Sequence, residues 1–197
     1  MENTLIFLDG GFISKLSKHF GDGAYIKFDL IKFAETLSKK QNLLCRHLFY
    51  YTAPPFQETS PTKEQRKRKE GYDNFIKSLG RNKDITIREG RCQRIVNSKG
   101  DAEYNQKGVD TLITIDLSHI KDDFPKIKKI ILVSSDTDFC PIIRDIKNRW
   151  KIEVILYSYF DRKRNSKFSV SNELLSCCSK YIRLTKQDFD NALLNKK

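Results

Sequence analysis

Four aspartates stand where apolar segments of the chain end or begin, and their side chains could do chemistry together. Asp9 closes the run TLIFLD, Asp136 and Asp138 follow the run KKIILVSS, and Asp110 opens an apolar helical pattern. Carboxylate oxygens are the ligands that hard ions such as Mg²⁺ and Mn²⁺ prefer. These ions activate water and stabilise leaving oxygens in phosphodiester hydrolysis. If the fold brings the four acids together, the sequence predicts a metal-dependent hydrolytic site.

The segments that precede these acids have the composition of buried parallel strands. Residues 130–133 are four consecutive apolar β-formers, which is typical of a strand buried on both faces. Ligands of open α/β sheets collect outside the carboxyl ends of such strands. We therefore expect Asp9, Asp136 and Asp138 at one edge of the sheet, although short acids also cap helices and could do only that here.

An apolar pattern over residues 104–120 predicts a helix that begins at the same edge. Asp110 lies in its first turn, and Lys107 lies just before it, placed to touch a substrate phosphate or to remain in solvent. Asp116 is about 9 Å farther along the helix axis, on the apolar stripe. We expect it to support the metal ligands from behind or to be purely structural.

The remaining patterns alternate between strands and helices, which predicts an α/β domain. Expected helices cover residues 28–39, 63–79, 138–149 and 171–179, and expected strands cover 43–52, 84–88 with an extension over 92–96, 152–157 and 181–184. We take residues 1–184 as one domain. Residues 185–197, which start with a Thr-x-x-Asp pattern, form a C-terminal helix or tail.

The chain is strongly basic, with 37 Lys and Arg against 25 Asp and Glu, a formal charge of +12. Such a protein attracts polyanions, so nucleic acid is the leading class of partner. A basic helix start, a basic strand and a basic loop supply the candidate RNA contacts. A solvated face explains the helix start equally well, whereas the loop is the best candidate for a clamp on the RNA backbone. These candidates are Arg66, Lys67, Arg68, Arg91, Arg162, Lys163 and Arg164.

The cysteines, the histidines and the hydropathy of the chain indicate its compartment and the kinds of metal site to expect. The five cysteines include no CxxC pair and are odd in number, which argues against a disulfide framework and fits a reducing cytoplasm. The three scattered histidines predict no zinc site. We expect no membrane segment and no signal peptide, and hence a cytoplasmic protein. The sequence leaves homodimerisation and protein partners open.

Three motifs together resemble the NYN-domain branch of the PIN-like nucleases. They are LDGG at the first strand, QKGVD at the helix start, and SSDTDF followed closely by Pro141. The resemblance spans residues 4 to about 183. It implies a three-layer, Rossmann-like α/β/α sandwich with a mainly parallel sheet and a Mg²⁺- or Mn²⁺-dependent ribonuclease. The family's metal-binding acids then correspond to Asp9, Asp110, Asp136 and Asp138, and Asp116 matches a second acid of the helix motif.

Two other functions compete with a ribonuclease. One is an RNA-binding or scaffold module with an inert acidic pocket, but an inert pocket gains nothing from the repulsion between its acids. The other is a phosphatase of the haloacid dehalogenase type, suggested by the Asp-x-Asp of DTDF. That chemistry expects the motif after the first strand, whereas here it arrives at residue 136.

Overall fold

The protein is built on a six-stranded sheet whose strands all run parallel. The computed structural model describes residues 1–97, 102–161, 166 and 168–194. The strands of the sheet are β1 (Glu2–Asp9), β2 (Leu43–Thr52), β3 (Ile85–Glu89), β6 (Lys129–Val133), β7 (Glu153–Ser158) and β8 (Lys180–Arg183). A separate antiparallel hairpin consists of β4 (Arg91–Val96) and β5 (Ala102–Lys107).

The strand order in the sheet is β3-β2-β1-β6-β7-β8, so the chain winds outward from β1 in one direction and later from β6 in the other. The point between β1 and β6 is where the winding reverses. The segments that follow β1 and β6 go to opposite faces of the sheet, which leaves between them a crevice of the kind in which α/β proteins bind ligands. Leu8 is aligned with Val133, so the segments after these two residues leave the sheet at the same level.

Helices cover both faces of the sheet, which confirms the predicted three-layer α/β sandwich. They are α1 (Gly10–Phe20), α2 (Leu30–Lys39), α3 (Lys63–Leu79), α4 (Val109–Ser118), α5 (Ile120–Asp123), α6 (Cys140–Trp150), α7 (Asn172–Cys177) and α8 (Lys186–Asp190). Alternate side chains of the strands point to opposite faces of the sheet and pack into two separate hydrophobic cores. Leu5, Phe7 and Leu132 pack with α4 to α7, whereas Ile6, Leu8 and Val133 pack with α1, α2 and α8.

The predicted helix over residues 104–120 is wrong in its first part. Residues 104–107 belong to β5, which pairs with β4, and the helix begins only at Val109. Gly108 separates the two elements with a φ of 82°, a left-handed conformation that glycine adopts without steric cost. The change of direction at this residue ends the hairpin and starts α4, so Asp110 still lies in the first turn of the helix.

Helix α1 was not predicted from the sequence. Its buried residues Phe12, Ile13 and Leu16 have helical spacing, and Asp9 provides the N-cap by accepting a hydrogen bond from the Phe12 N–H. Gly10 packs so closely on β2 that a Cβ atom there would lie 2.5 Å from the Tyr51 carbonyl oxygen. Only glycine allows the helix to start at this distance from the neighbouring strand.

Helix α3 forms where predicted, but it buries less than predicted. Tyr72 and Ile76 are only partly buried and Phe75 is 40 % exposed, because the helix covers the edge of the sheet rather than its centre. A capping box between Thr62 and Gln65 fixes its start.

The C-terminal segment packs on α2 and the α1 side of the sheet. Phe189 is fully buried and forms ring contacts with Phe28 and Phe33. Asp188 is also buried, where it accepts hydrogen bonds from the backbone N–H and the hydroxyl of Thr185 and pairs with Lys40. In the described part of the chain, no helix is long and apolar enough to cross a membrane.

We expect Asp188→Asn to lower the free energy of unfolding by about 2 kcal/mol, the usual value of hydrogen bonds to a charged group. The amide cannot replace the charge that pairs with Lys40. Chemical denaturation measures the change, and Asp190→Asn on the same helix is the matched control. Equal stability of the two variants would contradict a structural role for the buried pair.

Candidate active site

A cavity of about 640 Å³ lies at the reversal point between β1 and β6. Its walls come from the end of β1 and the start of α1, from β5 and the start of α4, and from the segment after β6. Three aspartates and two lysines supply the charges of the wall, namely Asp9, Asp110, Asp136, Lys15 and Lys107. The structure therefore brings together three of the four predicted acids from distant parts of the sequence.

Asp9 is held in place through both of its carboxylate oxygens. Oδ1 accepts the Phe12 N–H at 3.0 Å, and Oδ2 accepts the Ser134 hydroxyl at 3.0 Å. Burial raises the pKa of Asp9, while these hydrogen bonds and the positive charge of Lys15 favour the ionised form. The two contacts fix the direction in which the carboxylate faces the cavity.

Ser134 links the ends of the two central strands. Its side chain is buried, donates to Asp9, and accepts the Asp136 N–H at 3.2 Å. The hydroxyl thus uses both its donor and an acceptor position to set the distance between two acidic segments.

Asp136 caps the short 3₁₀ turn Thr137–Phe139, because its Oδ1 accepts the Asp138 N–H at 2.9 Å. The proposed capping role is therefore real, and it coexists with exposure of the same carboxylate to the cavity. Asp138 lies differently. It is exposed and does not line the cavity, although its charge still acts on Asp110.

The pKa of Asp110 is raised, first by burial and then by the negative charges of Asp136, Asp9 and Asp138. The effect of three acids on Asp110 indicates that their carboxylates lie near it. Like charges at short range cost free energy unless a cation or a proton neutralises them. The cavity is consequently a site where a positive ligand would relieve repulsion.

The donor set suits a hard divalent ion that keeps part of its water shell. Over the described residues, no three His, Cys, Asp or Glu side chains are arranged as a ready metal cage. Mg²⁺ is usually bound through one or two carboxylates together with water and substrate phosphate. Carboxylates from Asp9, Asp110 and Asp136 fit that mode, since they are all oxygen donors facing one water-accessible space.

Asp116 points away from this cavity and belongs to a buried polar cluster. Arg88 donates to its two oxygens at 2.8 Å and 3.0 Å, and the Tyr51 hydroxyl donates at 2.9 Å. The carboxylate is 7 % exposed. These contacts join α4 to β2 and β3, so the role of Asp116 is structural.

The predicted RNA-contacting residues are spread over several surfaces. Lys107 lines the acidic cavity and Arg91 lies on the hairpin. Arg66, Lys67 and Arg68 lie at the exposed start of α3 and outside the cavity wall, where Arg68 pairs with Glu64. The predicted contacts Arg162, Lys163 and Arg164 lie outside the described residues.

Several residues of the site were not found from the sequence. Lys15 was missed together with α1, although its outward position between Phe12 and Leu16 is a readable helical signal. Ser134 was missed because a serine after a buried strand is common, and its partner is 125 residues away. Gln106, which lines the cavity from β5, was missed because that segment was assigned to a helix.

A family model described as the NYN domain matches residues 3–185 of the chain. Among solved structures, the chain resembles a protein of unknown function from Vibrio parahaemolyticus, with a TM-score of 0.56 and 21% sequence identity. That likeness covers 98% of this chain and 96% of the other, and it supports the fold. No curated protein sequence matches the chain.

We expect Asp110→Asn to raise the melting temperature near neutral pH in the presence of a chelator. The gain should be about 1–2 °C, because Asp110 is only partly buried and solvent screening keeps the repulsion well under about 1 kcal/mol. The Asp110 carboxyl has a pKa near 3.8 in the unfolded chain, whereas its pKa is higher in the folded protein. Above its folded-state pKa, Asp110 is fully charged and its repulsion destabilises the folded protein. Below its unfolded-state pKa, the carboxyl is protonated in both states. The stabilisation by Asp110→Asn should therefore disappear in acid.

Thermal unfolding of both proteins across this pH range measures the effect. Asp122→Asn, which removes one exposed carboxylate from α5, controls for the change in net charge. A variant that is no more stable than the wild type at neutral pH would show that repulsion in the cavity is negligible.

We expect Asp116→Asn to lower the free energy of unfolding by about 2 kcal/mol, because two charged hydrogen bonds from Arg88 are weakened. Arg88→Leu should cost a similar amount, and the double variant should cost less than the sum. Urea unfolding of the four proteins completes the cycle. Additive losses would contradict direct coupling of the pair.

Proposed function

Because the chain belongs to the NYN domain family of the PIN-like superfamily, whose members are generally ribonucleases, we propose that it hydrolyses RNA phosphodiester bonds with a divalent metal ion. The observation that carries the proposal is the convergence of Asp9, Asp110 and Asp136 on one cavity at the reversal point of the sheet. Structural acids would be expected to have cationic partners, as Asp116 and Asp188 do. Asp110 instead has three negative charges near it, those of Asp136, Asp9 and Asp138, and they raise its pKa.

Asp9, Asp110 and Asp136 would hold Mg²⁺ or Mn²⁺, and Asp138 would act from the rim of the cavity. A bound ion of this type lowers the pKa of an attacking water and stabilises the leaving oxygen of a phosphodiester. The protein keeps its carboxylates ready for that task by fixing them beforehand. Asp9 is held by the Phe12 N–H and by Ser134, and Asp136 is held by its cap interaction.

Two cationic side chains in the cavity wall favour an anionic substrate. Lys15 comes from α1 and Lys107 from the end of β5, and both border the space that a phosphate must enter to reach the aspartates. The formal charge of +12 extends this attraction over the whole molecule. The basic start of α3 adds a sequence-independent contact for RNA outside the cavity.

The decisive experiment compares wild type with Asp9→Asn and Asp136→Asn on labelled single-stranded and structured RNAs, with Mg²⁺, Mn²⁺ or EDTA. We expect metal-dependent cleavage by the wild type and a loss of about 100-fold or more in each variant, as for other preorganised electrostatic groups. Asparagine preserves shape and most of the capping function, so folding should survive.

Asp145→Asn is the matched control, because Asp145 is a partly exposed acid of α6 that does not line the cavity and that pairs with Arg149 one helical turn away. Its cleavage rate should equal that of the wild type. Cleavage that persists unchanged in Asp136→Asn would refute the proposed site. Binding of RNA by all variants without any cleavage would instead identify an inert RNA-binding module.

A further inference from the structure

The β4–β5 hairpin borders the acidic cavity and is not part of the main sheet. In its antiparallel register Arg94 is opposite Tyr104 and Cys92 is opposite Gln106. Side chains alternate between the two faces of a strand, so these four residues share one face of the hairpin. That face carries a cation, an aromatic ring and an amide.

The face is continuous with the cavity. The Gln106 Oε1 atom lies 2.7 Å from the position that a Cβ atom on Gly11 would occupy, two residues after Asp9. Tyr104 is two residues before Gln106 on β5, about 7 Å away, and also lines the cavity. The ring is thus placed just beyond the aspartates, at a distance suited to a neighbouring group of a bound substrate.

Tyr104 forms an open aromatic pair with Phe56 from the loop after β2. Their ring centroids are 5.7 Å apart and the rings are inclined by 47°. Tyr104 nevertheless remains 52 % exposed, which is unusual for a large ring that has a packing partner. An exposed ring that a tilted neighbour supports from one side offers a face on which a base can stack.

Positive charge surrounds the aromatic pair. A second cavity of about 410 Å³ lies beside Phe56 and is lined by Arg91 and Arg94. Glu58 forms an ion pair with the Arg94 guanidinium at 4.0 Å, a distance too long for a hydrogen bond. The Arg94 side chain is 43 % exposed, so an incoming phosphate can reach its guanidinium group.

We infer that the hairpin binds single-stranded RNA, with an unpaired base stacked on Tyr104, which Phe56 supports from the side, and with Arg94 at the adjoining phosphate. The inference rests on the proposed function and specifies its substrate class. A paired base has both faces covered by its neighbours in the helix, whereas an unpaired base offers a face to an aromatic ring. A duplex would engage only the charges.

Binding is measured in a protein that carries Asp136→Asn throughout, so that the RNA is not cut. Adding Tyr104→Ala should weaken binding of a short single-stranded oligonucleotide by about 5- to 100-fold, the effect of losing one stacked base. Tyr104→Phe should bind like the parent, because the ring remains. Binding of a fully paired duplex of the same length should be unchanged by either substitution.

A spectroscopic measurement separates stacking from support of the hairpin. Tyr104→Trp places an indole on the proposed surface, and the natural chain contains only one tryptophan, Trp150, on α6. We expect single-stranded RNA to quench the new fluorescence, whereas the parent with Trp150 alone should show little change. Melting temperatures of all variants verify that the fold is intact.

The outcomes distinguish this inference from the proposed function. Equal binding of Tyr104→Ala and parent, equal losses for single strand and duplex, or an unquenched indole would each overturn the inference, even if the wild type cleaves RNA. If the Tyr104 effects appear but the wild type cleaves no RNA with any metal, the hairpin surface stands and the nuclease proposal fails.

Discussion

The parallel pairing of β1 with β6 is the constraint on which the site depends. It aligns Leu8 with Val133, so Asp9 and Ser134 leave the sheet side by side. The Ser134 hydroxyl then donates to Asp9 and accepts from the Asp136 backbone, which fixes two acidic segments in one arrangement. Without that alignment, Asp9 and Asp136 would lie on loops that have no contact fixing their separation. Every other feature of the cavity is added around this pair of strand ends.

The carboxylates of the site serve the fold and face the cavity at the same time. Asp9 begins α1 and Asp136 begins the turn before α6, so each stabilises a helix start through a backbone hydrogen bond. The hydrogen bonds to Asp9 and the charge of Lys15 partly offset the desolvation of that carboxylate. Repulsion remains at Asp110, where burial and three neighbouring charges act in the same direction. The protein thus keeps a locally unfavourable arrangement at the place where a cationic ligand would relieve it.

Much of the fold could be predicted from the sequence because its central strands are continuous apolar runs followed by acids. Residues 4–9 and 130–138 alone indicate a buried parallel sheet with carboxylates at one edge. The hairpin was harder, since residues 104–107 are polar and exposed and adjoin a true helix. The contacts of Asp116 were unpredictable for another reason, because Tyr51 and Arg88 meet it only through tertiary packing. Local patterns identify elements, but pairs distant in the sequence require the folded chain.

The β4–β5 hairpin lies outside the sandwich and contributes no buried residue to either hydrophobic core. It forms a sheet of its own, and all of its β5 residues are exposed. It joins the core at a narrow base, where a Cβ atom on Gly90 would lie 2.5 Å from the Lys107 carbonyl oxygen. Changes in the length or side chains of its outer part leave both hydrophobic cores intact, whereas changes near β1 and β6 do not. Side chains of the hairpin can therefore be replaced without removing any residue of the two hydrophobic cores.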